Sequence, residues 1–149
     1  MKRWRRLFLL ALSWVLLASS CSFPRIIILK DPLTPEEHLN LGVAYERRGE
    51  YDQAIQQYKL AAKKLPRAFL HLGNAHFQKG EWEEAEENYR RAIRKEPENA
   101  DAHNNLAWLY FTRREKLEEA EKLALRALEL NPAKEEIYRD TLEKIRQAR

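Results

Sequence analysis

The sequence predicts an all-α chain, a solenoid of stacked helix pairs closed by one further helix and preceded by a short N-terminal extension. Three observations predict it. From residue 35 onward, apolar residues recur at spacings of 3, 4 and 7, which place them on one helical face. The pattern then repeats: Leu41-Gly42, Leu72-Gly73 and Leu106-Ala107 head three blocks of similar spacing. All six prolines fall between the periodic segments or at the start of one, so nothing breaks a helix from inside.

The extension comes first. Met1 to Arg6 is short and basic, and Leu7 to Ala18 is an uncharged, mostly apolar run. Twelve helical residues span about 18 Å, short of a hydrocarbon core of roughly 30 Å. A basic start, an apolar stretch and small residues after it describe a secretory signal peptide over residues 1–20. Ala18-Ser19-Ser20-Cys21 resembles the lipobox of bacterial lipoproteins, with Ala18 standing where a leucine is usual. The resemblance implies cleavage before Cys21 and a lipid thioether on it. Several acyl chains together hold a protein stably on a membrane. The competing reading is an uncleaved anchor with an incidental thiol. Ser22 after the cysteine implies, in the Gram-negative pattern, sorting to the outer membrane, facing the periplasm.

Residues 21–34 read as a tether, with Pro24 and Pro32 disfavouring helix. Ile26 to Leu29 is a β-prone apolar run inside it. It either packs on the first helices or serves as a docking strand or membrane contact.

The helices follow in order. Thr34-Pro35-Glu36-Glu37 forms a capping box with proline at the first helical position. Gly49 and Gly80 suit the left-handed residue that ends a first helix. Pro66, Pro97 and Pro132 stop the second helices. These signals predict helices over 35–48, 51–64, 67–79, 82–95, 100–113, 117–130 and 134–147. Two departures from a regular period stand out. Gly42 to Gly73 is 31 positions where Gly73 to Ala107 is 34, so the turn at Pro66 is tight, with Pro66 starting the next helix. Tyr110 to Ala120 is one position longer than Tyr45 to Ala54, and the turn glycine is missing, so the connection Thr112 to Lys116 is expected to protrude. The last helix carries Ile137, Tyr138, Leu142 and Ile145 amid charges, which suits a cap on the final pair.

The blocks share more than their heads. His38-x2-Leu41-Gly42-x2-Tyr45 precedes Ala54-x3-Tyr58-x2-Ala61. Phe69-x2-Leu72-Gly73-x2-His76 precedes Ala85-x3-Tyr89-x2-Ala92. His103-x2-Leu106-Ala107-x2-Tyr110 precedes Ala120-x3-Ala124-x2-Ala127. This pattern closely resembles the tetratricopeptide repeat, a helix–turn–helix unit of 34 residues. The resemblance covers residues 35–149 and implies a right-handed superhelical solenoid: repeats over 35–65, 66–99 and 100–133, then a capping helix over 134–149. One pair cannot bury its apolar face alone, so stacking is obligatory.

Charge and chemistry narrow the function. The chain has 27 Lys and Arg against 23 Asp and Glu, a formal charge of +4. Removing residues 1–20 takes away Lys2, Arg3, Arg5 and Arg6 and leaves 23 of each sign, so phosphate attraction gives little drive for nucleic-acid binding. The composition, 44% apolar and 34% charged, excludes collagen-like and low-complexity classes. A single cysteine excludes an internal disulfide and a multi-cysteine zinc site. No phosphate loop, nucleophile elbow or H-E-x-x-H occurs, so neither enzyme activity nor a cofactor is expected. His38 and His103 occupy packing positions, and His71 and His76, five apart, share no helical face, so no metal site is expected. Glu83, Glu84 and Glu87 precede Arg90 and Arg91 at helical spacing and are expected to form exposed ion pairs.

The family resemblance implies a concave groove lined by the first helix of each pair. Carried over, its positions are Glu36, Leu39, Val43, Glu46 and Arg47, then Arg67, Leu70, Asn74, Phe77 and Gln78, then Asp101, Asn104, Trp108, Phe111 and Thr112. Leu39, Val43, Arg47, Leu70, Asn74, Phe77, Gln78, Asn104, Trp108 and Phe111 are the candidate partner-binding residues. Trp108 and Phe111 have a second reading as core residues covered by the last helix. The carboxylate clamp of chaperone-binding members needs Lys and Asn where this chain has Leu39 and Val43, which argues against a C-terminal carboxylate ligand. The expected function is a membrane-anchored, monomeric, non-enzymatic adaptor of the bacterial cell envelope that holds a protein or peptide. The alternatives are a substrate-holding partner of an exported cysteine peptidase, to whose helical half Asp31–Glu46 and Asn104–Trp108 look similar, and a self-associating structural lipoprotein.

Overall fold

The computed structural model describes residues 31–149. The expected signal peptide, the expected lipidation at Cys21 and the run Ile26–Leu29 lie outside the described residues. Pro32–Arg149 forms one unit. Its helices are α1 (Pro35–Arg47), α2 (Tyr51–Ala61), α3 (Ala68–Lys79), α4 (Trp82–Lys95), α5 (Ala100–Arg113), α6 (Leu117–Leu130) and α7 (Glu135–Ala148), with a 3₁₀ turn at Pro132–Lys134. No strand occurs among the described residues, and no helix there is long and apolar enough to cross a membrane.

The punctuation acts as expected at most ends. Thr34 Oγ1 accepts from Glu37 N at 3.2 Å while Thr34 N donates to the Glu37 carboxylate at 2.7 Å, so two otherwise orphaned donors are satisfied reciprocally. These bonds hold the Glu37 carboxyl below its usual range. Gly49 and Gly80 have φ of 74° and 75°, the left-handed conformation in which a side chain is disfavoured.

Helices pack as the pairs α1–α2, α3–α4 and α5–α6, and each pair stacks on the next through α2–α3, α4–α5 and α6–α7. Within the first two pairs a glycine meets a tyrosine ring. A Cβ built at Gly42 or Gly73 would lie inside van der Waals contact of Tyr58 or Tyr89. Both rings are buried, each with neighbours from its own pair and the next. Burying a side chain of that size contributes roughly 1.5–3 kcal/mol. Each buried hydroxyl finds an acceptor: Tyr58 donates to Glu46, Tyr89 to Asn74 at 3.0 Å, Tyr110 to Glu86 at 2.7 Å and Tyr138 to Asp101 at 2.8 Å. Burial chiefly raises all four phenols above the ordinary tyrosine range.

Three local expectations are corrected. First, α2 ends at Ala61 rather than residue 64, and α3 starts at Ala68 rather than at Pro66. The chain turns by short-range bonds, Lys64 N to Ala61 O, Ala68 N to Leu65 O and Phe69 N to Pro66 O, which shorten the connection without a helix start at the proline. Second, the connection after α5 is exposed but tied down. Arg114 and Lys116 take φ of 54° and 49°. Arg113 reaches Glu83 at 2.8 Å and Lys116 reaches Glu86 at 2.7 Å, both on α4. Third, Ile137 is 58% exposed, and Thr141, 4% exposed, is buried beside Tyr138, Leu142 and Ile145 instead.

The charged run on α4 is also redistributed. Glu87 pairs with Arg91 at 3.7 Å and Arg94 at 3.0 Å, but Glu83 crosses to α5. Glu86 is the hub, accepting from Arg90, Tyr110 and Lys116. Desolvation alone would raise its carboxyl. Donation from Lys116, Tyr110 and Arg90 outweighs that and holds it at about 2.

Candidate functional site

The first helices α1, α3 and α5 place one polar cleft on their shared face. It encloses about 290 Å³ and is lined by Glu46, Asn74, Phe77, Gln78, Tyr89, Asn105 and Trp108. Asn74 sits one helical turn before Phe77 and Gln78 on α3, and Asn105 one turn before Trp108 on α5. Asn74 Oδ1 accepts two hydrogen bonds, from Tyr89 at 3.0 Å and from Asn105 Nδ2 at 2.9 Å. That pins both amides, because each anchor is itself held by a helix. Aromatic contacts stiffen the walls. Phe77 meets Trp82 edge-on with centroids 5.2 Å apart, and Trp108 lies 5.1 Å from Phe111. Lys144 of α7 stands 5.2 Å over the Trp108 ring.

The carboxylate of Glu46 acts beyond its own contacts. Burial raises the Tyr89 phenol and the Glu46 charge adds to that rise. Burial lowers His71, whose ring lies 5.2 Å from that of Tyr58, and Glu46 opposes the drop. The other histidines are held within the packing. His38 Nδ1 is 2.8 Å from Gln57 Oε1, His76 Nδ1 is 2.6 Å from Glu81, and His103 Nε2 is 3.0 Å from the Pro97 carbonyl. The described residues show no cluster of His, Cys, Asp or Glu with metal-holding geometry.

The tetratricopeptide repeat family matches this chain twice, over residues 35–68 and over residues 70–135. Residues 35–135 are tetratricopeptide repeats. No curated protein matches the chain by sequence. Among solved structures, the chain is similar to the first tetratricopeptide domain of Spaghetti (RPAP3) bound to an HSP90 peptide, SRMEEVD. Identity is 29%, over 81% of this chain and 97% of that one, with a TM-score of 0.71. It is also similar to the first such domain of human RPAP3, at 29% identity over 76% and 91% of the two chains, TM-score 0.70. The TPR2B domain of yeast Sti1 shares the fold at 20% identity, over 77% and 98%, TM-score 0.72.

On this tetratricopeptide array the candidate residues separate. Asn74, Phe77, Gln78 and Trp108 line the cleft together. Val43, Leu70 and Phe111 are half-buried against the core, and Arg47 is exposed at the end of α1. Leu39 and Asn104 are corrected. Leu39 is 6% exposed and belongs to the core with Ala68 and Leu72 of α3. Asn104 is 7% exposed, with Oδ1 lacking a partner. The reason is α7, which touches the same face of α5 on both sides of Asn104, through Tyr138 on Asp101 and Lys144 on Trp108. Asn105, a residue the family positions do not include, takes the cleft position. Tyr89 also lines the cleft, although its spacing marks it as a packing residue.

Proposed function

We propose that this chain is a non-enzymatic adaptor that holds a segment of another protein in the cleft between α1, α3 and α5. The observation that carries the reading is the pinned pair Asn74–Asn105, which lines the cleft together with Phe77 and Trp108. Fixed amides suit the backbone of an extended segment, and rigid aromatic walls give contact area at low entropic cost. The peptide held by the related Spaghetti domain supports the reading. The clamp position Leu39 is buried and Val43 is apolar, so the segment is bound by the cleft amides and aromatic rings rather than through a terminal carboxylate. The adaptor is anchored in a bacterial envelope by a lipid on Cys21 and faces the periplasm from the outer membrane. The support for this is the basic start, the apolar run and the lipobox resemblance of residues 1–21.

In-cell photocrosslinking tests the reading, with the photoreactive residue at Gln78 or Asn105 and at Glu118 on α6 as control. A discrete protein band from the cleft positions alone is the expected result. Equal yield from all three positions would refute it. Globomycin treatment of the same cells tests the anchor: accumulation of the uncleaved precursor is expected, and unchanged processing would exclude the lipobox.

A further inference from the structure

The cleft carries a sign of charge. Glu46 is the one charged side chain in its lining. Tyr58 donates to Glu46 Oε2, which leaves Oε1 to accept from elsewhere. Arg67 pairs with Glu36 at 3.2 Å, and Lys144 pairs with Asp140 at 2.6 Å while covering Trp108; Arg47, exposed beside Glu46 at the end of α1, forms no ion pair with it. Among the described residues no Lys or Arg forms an ion pair with Glu46, so a half-buried carboxylate faces a small cleft without a counter-ion. An anion placed there would meet like charge, and a cation would find its partner.

The neighbouring groups give the rest of the ligand. Asn74 Oδ1 is saturated by Tyr89 and Asn105, so Asn74 offers donors through Nδ2 and Asn105 an acceptor through Oδ1. One donor and one acceptor side by side match the C=O and N–H of an extended backbone. Phe77 and Trp108 supply the apolar surface beside them.

We propose that the cleft selects an extended segment carrying a lysine or arginine next to a large apolar residue, the cation on Glu46 and the apolar side chain against Phe77 and Trp108. This specificity rests on the cleft-binding reading above.

The test uses the full chain in detergent micelles against two immobilised pools of capped nine-residue peptides. The pools are random except for a central Lys-Phe or a central Glu-Phe. Wild type is expected to retain the Lys-Phe pool about fivefold more than the Glu-Phe pool, the scale of one partly exposed ion pair. Glu46→Gln is expected to bring the ratio near one while retention persists, Glu46→Lys to invert it, and Glu118→Gln to leave it unchanged. The ratio is internal to each sample, so partial unfolding of a variant does not move it. A wild-type ratio near one, or one insensitive to Glu46, overturns the proposal. If Asn74→Ala and Trp108→Ala still abolish retention, only the charge preference has failed. If they leave retention intact, the cleft-binding reading has failed with it.

Discussion

The second and third repeats solve the same two problems differently. Where helices of a pair cross, the second repeat sets Gly73 under the ring of Tyr89. The third has Ala107 and Ala124 at the corresponding places, both fully buried. Leu142 and Ile145 of α7 join those alanines in one core cluster. At the turn, Gly80 adopts its left-handed φ without a side chain, whereas Arg114 adopts the same conformation with one. The bonds are equivalent: Gly80 N to Phe77 O and Glu81 N to His76 O in one, Arg114 N to Phe111 O and Glu115 N to Tyr110 O in the other. The one-residue insertion is absorbed at Lys116 as a second left-handed residue, held against Glu86 and 4.7 Å over the Tyr110 ring. The family pattern therefore constrains sums, such as small plus large at a crossing, more than it constrains any one residue.

Breaking this contrast at the crossing has the largest expected effect. Gly73→Ala forces a Cβ onto a buried ring with no room to retreat, and about 2–3 kcal/mol of stability is expected to be lost in urea unfolding. The added methyl is tolerated if Tyr89→Ala accompanies it, so the double variant's loss is expected to fall short of the sum of the two single losses.

Acid comes next, and it acts on the third turn. The Glu86 carboxyl is held at about 2 against an ordinary 4.5, so its stabilisation is complete above about pH 4.5 and is lost as pH falls toward 2. About 1–2 kcal/mol is expected to disappear over that window after solvent screening. Glu86→Gln is expected to flatten that part of the stability–pH curve.

The smallest effect has the opposite sign. Arg114→Gly relieves a left-handed side-chain residue and is expected to stabilise by about 0.5–1 kcal/mol in the same unfolding assay. Gly80→Ala is expected to cost about 1 kcal/mol. Equal responses at the two turns would remove the distinction between them.

Helix ends with a visible device were legible in the sequence: the capping box at Thr34, the left-handed Gly49 and Gly80, and α4 through α6 between their turns. The end of α2 was not, because the shortened turn is made by overlapping backbone bonds that no single residue type announces. Within the site, Asn104 and Asn105 differ by about 100° around α5. Which one meets the cleft is decided by α7, an element 30 residues away whose docking no local periodicity encodes. Leu39 fails for the same reason, since α3 covers it. Glu86 hides in a run of glutamates and is singled out only by the Tyr110, Arg90 and Lys116 that surround it in space.

The bond between Asn74 and Asn105 joins the first helices of two successive repeats. An array stacked only through neighbours deforms as a spring, its pitch set by small rotations between units. Twisting or stretching such a spring shifts one repeat against the next, and so would move Asn105 relative to Asn74. A segment bridging both amides would therefore stiffen the coil at this point. By reciprocity, tension applied along the coil would loosen the grip on that segment. If the cleft holds such a segment, the same hydrogen bond would make its affinity a mechanical property of the array.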